Sequence, residues 1–315
     1  MCMKLAPALA TGNVMISKPS EKSPLGCLRF AQLVAESGIL PTGVFQAIAG
    51  DGKTGALLAH HMKVRKVSFT GSVNTGRRIQ QAAAASNLKR VTLELGGKSP
   101  AAIFDDCNFD NAVMWTVNAM TANSGQVCIA ASRIYVQETI ADKFIEAYTA
   151  AFKKKLENIE GEVGPLADKQ QFDRVASFFE KDQGNTKILA GGKRHGAKGC
   201  FWEPSIFYNP DPNAAVYKEE IFGPVSCIRT FKDEADFLKM ANDSEFGLMA
   251  GVFTQDINRA MRISAELDSG VVGVNCVSYL NLQVPFGGTK SSGQGRELGH
   301  YAMRSFTEPK SILIK

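Results

Sequence analysis

The chain has 315 residues, a formal net charge of +5, 44% hydrophobic and 21% charged residues, and 29 glycines. That is enough for a large core in two domains or one elaborate α/β domain, and the composition is that of a globular protein with many tight turns. The exclusions are a dedicated nucleic-acid binder, because the small positive charge is spread without basic runs, and a disulfide framework or zinc site, because the 7 cysteines make no C-x-x-C and the 4 histidines no H-E-x-x-H. No apolar run reaches the roughly 18 residues of a membrane span, and no charged-then-apolar leader opens the chain, so a soluble cytoplasmic protein without membrane contact is expected.

From Met1 to Glu94 the pattern alternates strand and helix. Asn13–Ser17 is a short apolar strand, and Ser20–Ser37 follows at helical spacing, with Ser20 as its cap, Pro24 in its first turn and Gly38 as its end. The strand Val44–Ile48, a helix from Lys53 to His61 and the strand Val64–Phe69 come next. A helix over Val73–Ala85 and the strand Val91–Leu95 complete the run. Such alternation means a parallel sheet with right-handed crossovers, in which ligands gather at the carboxyl ends of the strands. Those ends carry Lys18-Pro19-Ser20-Glu21, Thr70-Gly71-Ser72-Val73-Asn74-Thr75-Gly76 and Glu94-Leu95-Gly96-Gly97-Lys98. They are expected to converge on one edge.

Beyond Asp105 the reading is a second α/β domain. Its helices are Phe109–Ala122, Ala141–Glu157, Gln170–Lys181 and Ile257–Leu267. Its strands are Ile134–Gln137, Thr186–Ala190, Ser205–Tyr208, Val225–Phe231, Ala250–Phe253 and Gly270–Asn275, with Lys310–Lys315 as a final strand. There is no internal repeat.

Chemistry is sought first at Cys128, delivered by the amide-rich turn Asn123-Ser124-Gly125-Gln126-Val127. A cysteine attacks as thiolate, which requires partial exposure and nearby N–H groups or positive charge, and a glycine-containing turn supplies such groups. The bland alternative is one more buried small residue. Glu94, at a strand end and on the face of Thr92, is a general base or a solvated carboxylate. Gly71 to Gly76 is a helix start able to hold a pyrophosphate, or merely a helix capped by Ser72. Glu219-Glu220-Ile221-Phe222 is surface charge, or a hydroxyl-binding glutamate with an aromatic wall. Ala47-Ile48-Ala49-Gly50-Asp51-Gly52-Lys53-Thr54 imitates a phosphate-binding loop lacking its first glycine, and Asp105 imitates a magnesium-binding strand end. A nucleotide triphosphatase using Lys53 is therefore a third-ranked reading.

Taken together these stretches resemble the aldehyde dehydrogenase superfamily over essentially the whole chain. The carrying residues are Lys18-Pro19-Ser20-Glu21, Phe69-Thr70-Gly71-Ser72, Leu93-Glu94-Leu95-Gly96-Gly97-Lys98, Gly125-Gln126-Val127-Cys128, Glu220-Ile221-Phe222-Gly223-Pro224 and Pro285-Phe286-Gly287-Gly288. The fold class implied is α/β: a partial doubly wound parallel-sheet cofactor domain (1–96), a second α/β catalytic domain (97–296) and a return segment with an oligomerisation-strand tail (297–315).

The resemblance implies Cys128 as nucleophile and Glu94 as the base for hydrolysis. It also implies Lys18 and Glu21 at an adenosine ribose, Gly71, Ser72 and Gly76 at a pyrophosphate, and Glu220 with Phe222 at the nicotinamide ribose and ring. Glu21 beside the ribose repels a 2′-phosphate, so NAD is expected over NADP. No metal is implied, and the partners implied are a small aldehyde and a homo-oligomer or a full-length relative.

Family chains carry a longer portion before Lys4-Leu5-Ala6-Pro7-Ala8-Leu9-Ala10, including a Pro-Trp-Asn motif whose asparagine completes an oxyanion hole. The expectation is an N-terminally truncated member with exposed edges. Loss of one such donor lowers turnover on the order of 10²- to 10³-fold. His300 stands where the family usually has a second glutamate, and Glu297 is retained. The rival reading is a catalytically dead relative that acts as a partner of a full-length member.

Overall fold

The structure is a computed structural model that describes residues 1–315, and the chain divides into two compact units. The first comprises Met1–Leu95, Leu280–Gly287 and Gly293–Lys315, and the second Gly96–Tyr279 and Gly288–Ser292. The boundaries implied by the resemblance, 1–96, 97–296 and 297–315, differ from these units at residues 96, 280–287 and 293–296.

In chain order the first unit runs α1 (Cys2–Ala10), β1 (Met15–Ser17), α2 (Leu25–Ser37), β2 (Phe45–Ala47), α3 (Gly52–His60), β3 (Lys66–Thr70), α4 (Val73–Ala84) and β4 (Arg90–Glu94). β1 pairs with β2 and β3 with β4, both in parallel. Helix α1, rich in leucine and alanine, was not expected from the alternating pattern. It buries Leu5 and Ala8, and Lys4 forms a salt bridge to the buried Glu297, which also accepts from Ser68 Oγ at 3.2 Å. Helix α2 starts at Leu25 rather than at Ser20, whose hydroxyl accepts from the Lys22 N–H in a separate turn. Pro24 takes the N-cap position, and Gly38 ends the helix at φ 63°. No side chain of α2 is buried.

The second unit continues with β5 (Pro100–Ile103), α5 (Phe109–Thr121), β6 (Arg133–Gln137), α6 (Ala141–Lys155), α7 (Ile159–Glu162), α8 (Lys169–Asp182), β7 (Lys187–Ala190), β8 (Ser205–Tyr208), α9 (Ala215–Lys218), β9 (Val225–Phe231), α10 (Glu234–Asn242), β10 (Phe246–Gly247), β11 (Met249–Phe253), α11 (Ile257–Glu266), β12 (Val271–Val274) and β13 (Thr289–Lys290). Seven strands form one sheet in the order β12-β11-β5-β6-β9-β8-β7, parallel except for β7. Period-two alternation divides its side chains between two cores. Ala102, Tyr135, Phe207 and Phe231 join one, while Ala101, Ile103, Ile134 and Val136 join the other with Phe144, Tyr148 and Phe152 of α6. A sheet buried on both faces is what short apolar parallel strands require.

The chain then returns to the first unit through β14 (Gly293–Gln294), antiparallel to β4, and α12 (Gly299–Ser305). The first unit's pairing is thus two small sheets, one with an antiparallel edge, rather than one parallel sheet. The tail from Lys310 to Lys315 is not a strand: Ile312, Leu313 and Ile314 are exposed, and no ladder partner meets them. An apolar alternation alone cannot make a strand without a neighbour to accept its N–H groups.

Candidate active site

In the first unit the candidate residues sit where parallel strands end. Just past β1, Lys18 Nζ donates to the carbonyls of Gly50 (2.7 Å) and Pro19 (2.6 Å), with the exposed Glu21 carboxylate at 3.8 Å. Lys18 thereby ties the ends of β1 and β2 together. In the other sheet Thr70 lies opposite Glu94 in register. The Gly71 N–H donates to the Glu94 carbonyl at 3.1 Å, and Thr70 Oγ1 donates to Glu94 Oε2 at 3.0 Å. Glu94 is 5% exposed, and its second oxygen, Oε1, meets no protein donor. A buried carboxylate oxygen without a donor is costly to keep, and that marks it as a group held for something other than packing.

Ser72 caps α4, its hydroxyl accepting from the Thr75 N–H at 3.3 Å. The first turn of α4 therefore opens from an exposed loop, and the first N–H groups of any helix lack intrahelical acceptors, an anion-favouring arrangement. Gly76 lies against Leu95, where a Cβ would stand 2.7 Å from the leucine side chain, so glycine lets α4 approach the end of β4. Lys18 with Glu21, and Gly71, Ser72 and Gly76 with Glu94, are the groups this unit brings together.

The second unit assembles its site at the opposite ends of strands. Gly96–Ser99 leads into β5, the Cys128 turn leads into β6 and Glu220–Pro224 leads into β9, and these are three adjacent parallel strands. The carboxyl-end rule for open α/β sheets does not locate Cys128; the amino ends do. The turn before Cys128 is unusual backbone. Asn123 (φ 52°), Ser124 (φ 57°) and Gly125 (φ 65°) are three consecutive left-handed residues, a conformation free to the glycine and costing the two residues with side chains of order 1–3 kcal/mol each. Gly125 must also be glycine because a Cβ there would strike the Gly223 carbonyl. Ser124 is fully buried, and its hydroxyl meets no protein partner. Cys128 itself is half-buried, as a reactive thiol requires.

Around this turn glycines permit close backbone approach. A Cβ on Gly97 would fall on the Cys128 carbonyl oxygen, and one on Gly96 on the Glu220 carboxylate. The Gly97 N–H donates to Glu220 Oε1 at 2.9 Å. The carbonyls of Glu220, Ile221 and Phe222 accept in succession from Arg174 (2.6 Å) and Gln171 (3.1 and 2.7 Å) on α8. They hold Phe222 in a left-handed turn at φ 59° with its ring 37% exposed. The cleft lined by Gly97, Gly125, Val127, Glu220 and Phe222 has about 10 Å³ of room, the scale of one water. Glu220 is thus seated on the Gly96–Gly97 backbone, beside the Cys128 loop.

Beneath this lies a buried cation pair. Lys98 Nζ donates to the Val216 carbonyl at 2.8 Å. Burial lowers its pKa from 10.5 to about 8; the Cys227 and glutamate charges oppose that shift and Arg133 adds to it. Arg133 donates to the carbonyls of Lys98 (2.8 Å), Met240 (3.2 Å) and Ala241 (2.9 Å) and to Tyr135 Oη (3.1 Å). Gln126, Gln171, Arg174 and Arg133 have no assigned role in the motif reading. Apart from the Gln126–Asn123 and Arg133–Tyr135 bonds, their partners are distant in sequence, so only the fold reveals them.

The phosphate-loop imitation fails on its own residues. Asp51 caps α3, accepting from the Lys53 N–H at 2.9 Å, and so puts a carboxylate where a phosphate would have to bind. At Asp105, as elsewhere, no group of three or more His, Cys, Asp or Glu side chains is placed to hold a metal ion. Asp105 meets Thr139 at 3.5 Å and Arg259 at 3.9 Å, and the neighbouring Asp106 accepts from Thr254, Gln255, Asp256 and Arg259. No helix is long and apolar enough to cross a membrane.

A family model described as "Aldehyde dehydrogenase family" matches residues 1–312. Among similar proteins, an aldehyde dehydrogenase of Agaricus bisporus is 46% identical over 320 residues, which are 100% of this chain and 64% of that one. Aldehyde dehydrogenase 1A1 of Oryctolagus cuniculus is 45% identical over 99% of this chain and 64% of its own length. The crystal structure of the aldehyde dehydrogenase KauB from Pseudomonas aeruginosa superposes with a TM-score of 0.93 at 41% identity, over 98% of this chain and 64% of that one. A variant of the P. syringae indole-3-acetaldehyde dehydrogenase AldA, solved with NAD+ and IAA, gives a TM-score of 0.95 at 38% identity, over 100% of this chain and 65% of that one. The chain thus spans 64% of the length of the first two relatives. With the match running through both units and through every stretch that builds the site, this chain belongs to the aldehyde dehydrogenase family.

Proposed function

We propose that the chain oxidises an aldehyde to a carboxylic acid with NAD, through a thiohemiacetal and then a thioester on Cys128. One observation carries the reading: in a member of this family, Cys128 is presented half-buried by three successive left-handed residues, a strained turn of the kind that persists where function demands it.

The residues fit the cofactor. The exposed start of α4, with Gly71 and Ser72, suits a pyrophosphate, and the buried Gly76 sets how close that start lies to the end of β4; Lys18 and Glu21 suit the adenosine ribose; Glu220 and the partly exposed Phe222 suit the nicotinamide ribose and ring. The Glu21 carboxylate favours NAD over NADP by charge repulsion. NAD, when bound, accepts the two electrons of the oxidation.

The chain's own groups do the rest. Cys128 thiolate adds to the aldehyde carbon, and the carbonyl electron pair moves onto oxygen. After oxidation the acyl group remains on Sγ as a thioester. Glu94 takes a proton from water, the water oxygen bonds to the acyl carbon, the C–S bond breaks, and the carboxylate leaves with the thiolate restored. The Oε1 atom of Glu94, having no protein donor, is the oxygen available for that proton.

The test is NADH formation by the purified chain across a panel of aldehydes. Cys128→Ser should abolish it, and Glu94→Gln should leave a stoichiometric burst without steady turnover. Turnover that survives Cys128→Ser sinks the mechanism. A second reading, a non-catalytic partner of another family member, draws on α2, none of whose side chains is buried. It predicts neither NAD binding nor turnover for the chain alone, and complex formation with such a relative.

A further inference from the structure

The Cys128 turn is held by more than its own backbone. Asn123 to Gly125 occupy left-handed backbone, the Ser124 hydroxyl is buried without a protein partner, and the helix before them, α5, has already ended at Thr121. What fastens the turn is Gln126. Its N–H and its side-chain Nε2 both donate to the Asn123 carbonyl, at 3.1 and 3.0 Å, closing the turn on itself. Asn123 Nδ2 returns a bond to the Gln126 carbonyl at 3.0 Å.

The same Gln126 amide reaches outward to the segment before α8. Nε2 approaches the Pro165 carbonyl at 3.3 Å, and Oε1 accepts from the Ala167 N–H at 2.8 Å. That segment is itself fixed: Leu166 is 2% exposed, its N–H donates to the Cys200 carbonyl at 2.9 Å, and the Gly164 N–H donates to the Ile159 carbonyl at 2.8 Å. One side chain therefore spends both ends of its amide tying a strained turn to an anchored loop 39 and 41 residues away. A long, rotamer-rich side chain loses entropy by such fixing, so the arrangement matters for what it positions.

We propose that Gln126 is the positioning residue for Cys128: by bridging the Asn123 carbonyl to Pro165 and Ala167 it holds the left-handed turn that aims the thiol. It acts through the backbone of the turn and is assigned no contact with substrate. The proposal rests on the reading of Cys128 as nucleophile, yet its consequence, a thiol whose reactivity depends on a remote loop, can be read without turnover.

The experiment is alkylation of the full chain by iodoacetamide, with the Cys128 and Cys227 peptides followed by mass spectrometry between about pH 6 and about pH 10. Gln126→Met keeps the side chain's length and removes all of its hydrogen bonds. Gln126→Glu keeps the acceptor for the Ala167 N–H but loses the donors to Asn123 and Pro165. The expected result is alkylation of Cys128 slowed about tenfold in Gln126→Met, with a shifted pH profile, and an intermediate rate in Gln126→Glu, as misplacement of a reacting group implies.

Cys227 is 1% exposed and reports folding, because it labels only if the unit opens. If Gln126→Met exposes Cys227, Gln126→Glu decides alone. A Cys128 rate within about twofold of the parent, with an unchanged pH profile, in the folded variant overturns the proposal. A chain without dehydrogenase activity would refute the proposed function and leave this measurement intact. Where turnover is measurable, kcat falls while KM for NAD holds.

Discussion

Gly97→Ala is the sharpest perturbation of the site, because one methyl group meets backbone rather than a side chain that could swing away. A Cβ built on Gly97 stands 2.2 Å from the Cys128 carbonyl oxygen, where real Cβ atoms keep at least 3.0 Å, and it also touches Leu248 Cβ at 3.5 Å. Either the strand entry at Gly97 or the Cys128 turn must therefore yield by about 1 Å, a displacement that costs a catalytic geometry on the order of 10²-fold. Overpacking of this kind also costs about 1–3 kcal/mol of stability, a fall of a few degrees in melting temperature for a chain of this size. The assay pairs thermal denaturation with the rate of Cys128 alkylation. Gly26→Ala is the control: Gly26 lies inside α2 with nothing near its Cβ position, and alanine there should stabilise by up to about 1 kcal/mol. A Gly97→Ala chain that melts and labels like the parent would refute the close-approach argument.

Other substitutions probe the surroundings. Arg133→Met should destabilise the chain by about 2–3 kcal/mol or more, because it strands two buried carbonyls and a partly buried one at once; chemical denaturation reads this, and a loss under about 1 kcal/mol refutes it. Ser72→Ala should cost about 1 kcal/mol through the lost cap of α4, and calorimetry with and without NAD separates that cost from any effect on binding. Lys98 gives a pH signature. Its folded pKa, about 8, lies below its unfolded value, 10.5. Between those values the unfolded chain binds more protons, so stability rises with pH across that window and is flat in this group below it. The gain of the parent over Lys98→Met should approach 1.4 kcal/mol per pH unit inside the window. A difference that does not change with pH would rule the buried ammonium out.

How much of this was legible beforehand follows from where the physics is local. The sequence by itself determined the strands Ser205–Tyr208 and Val225–Phe231 of the second unit to the residue, because short apolar runs between turns admit little else, while β5, α7, α9 and α10 went unread. It also offered Cys128, Glu94, Ser72 and Glu220 as candidates, because their motifs are contiguous. The Ser72 cap and the Gly38 helix end are likewise local hydrogen-bond and φ requirements.

Tertiary structure decided everything that depends on a partner far along the chain. The tail from Lys310 to Lys315 has strand composition and no neighbour, so it is not a strand; Gly293–Gln294 has little strand character and becomes one because β4 offers an edge. That the Cys128 loop enters the amino ends of parallel strands, beside Gly97 and Glu220, follows from the strand order β5-β6-β9, which no periodicity encodes. The tie from Gln126 to Pro165 and Ala167 has the same origin. A hydrogen bond across dozens of residues leaves no pattern in composition or spacing; it exists only once the fold brings the two ends together.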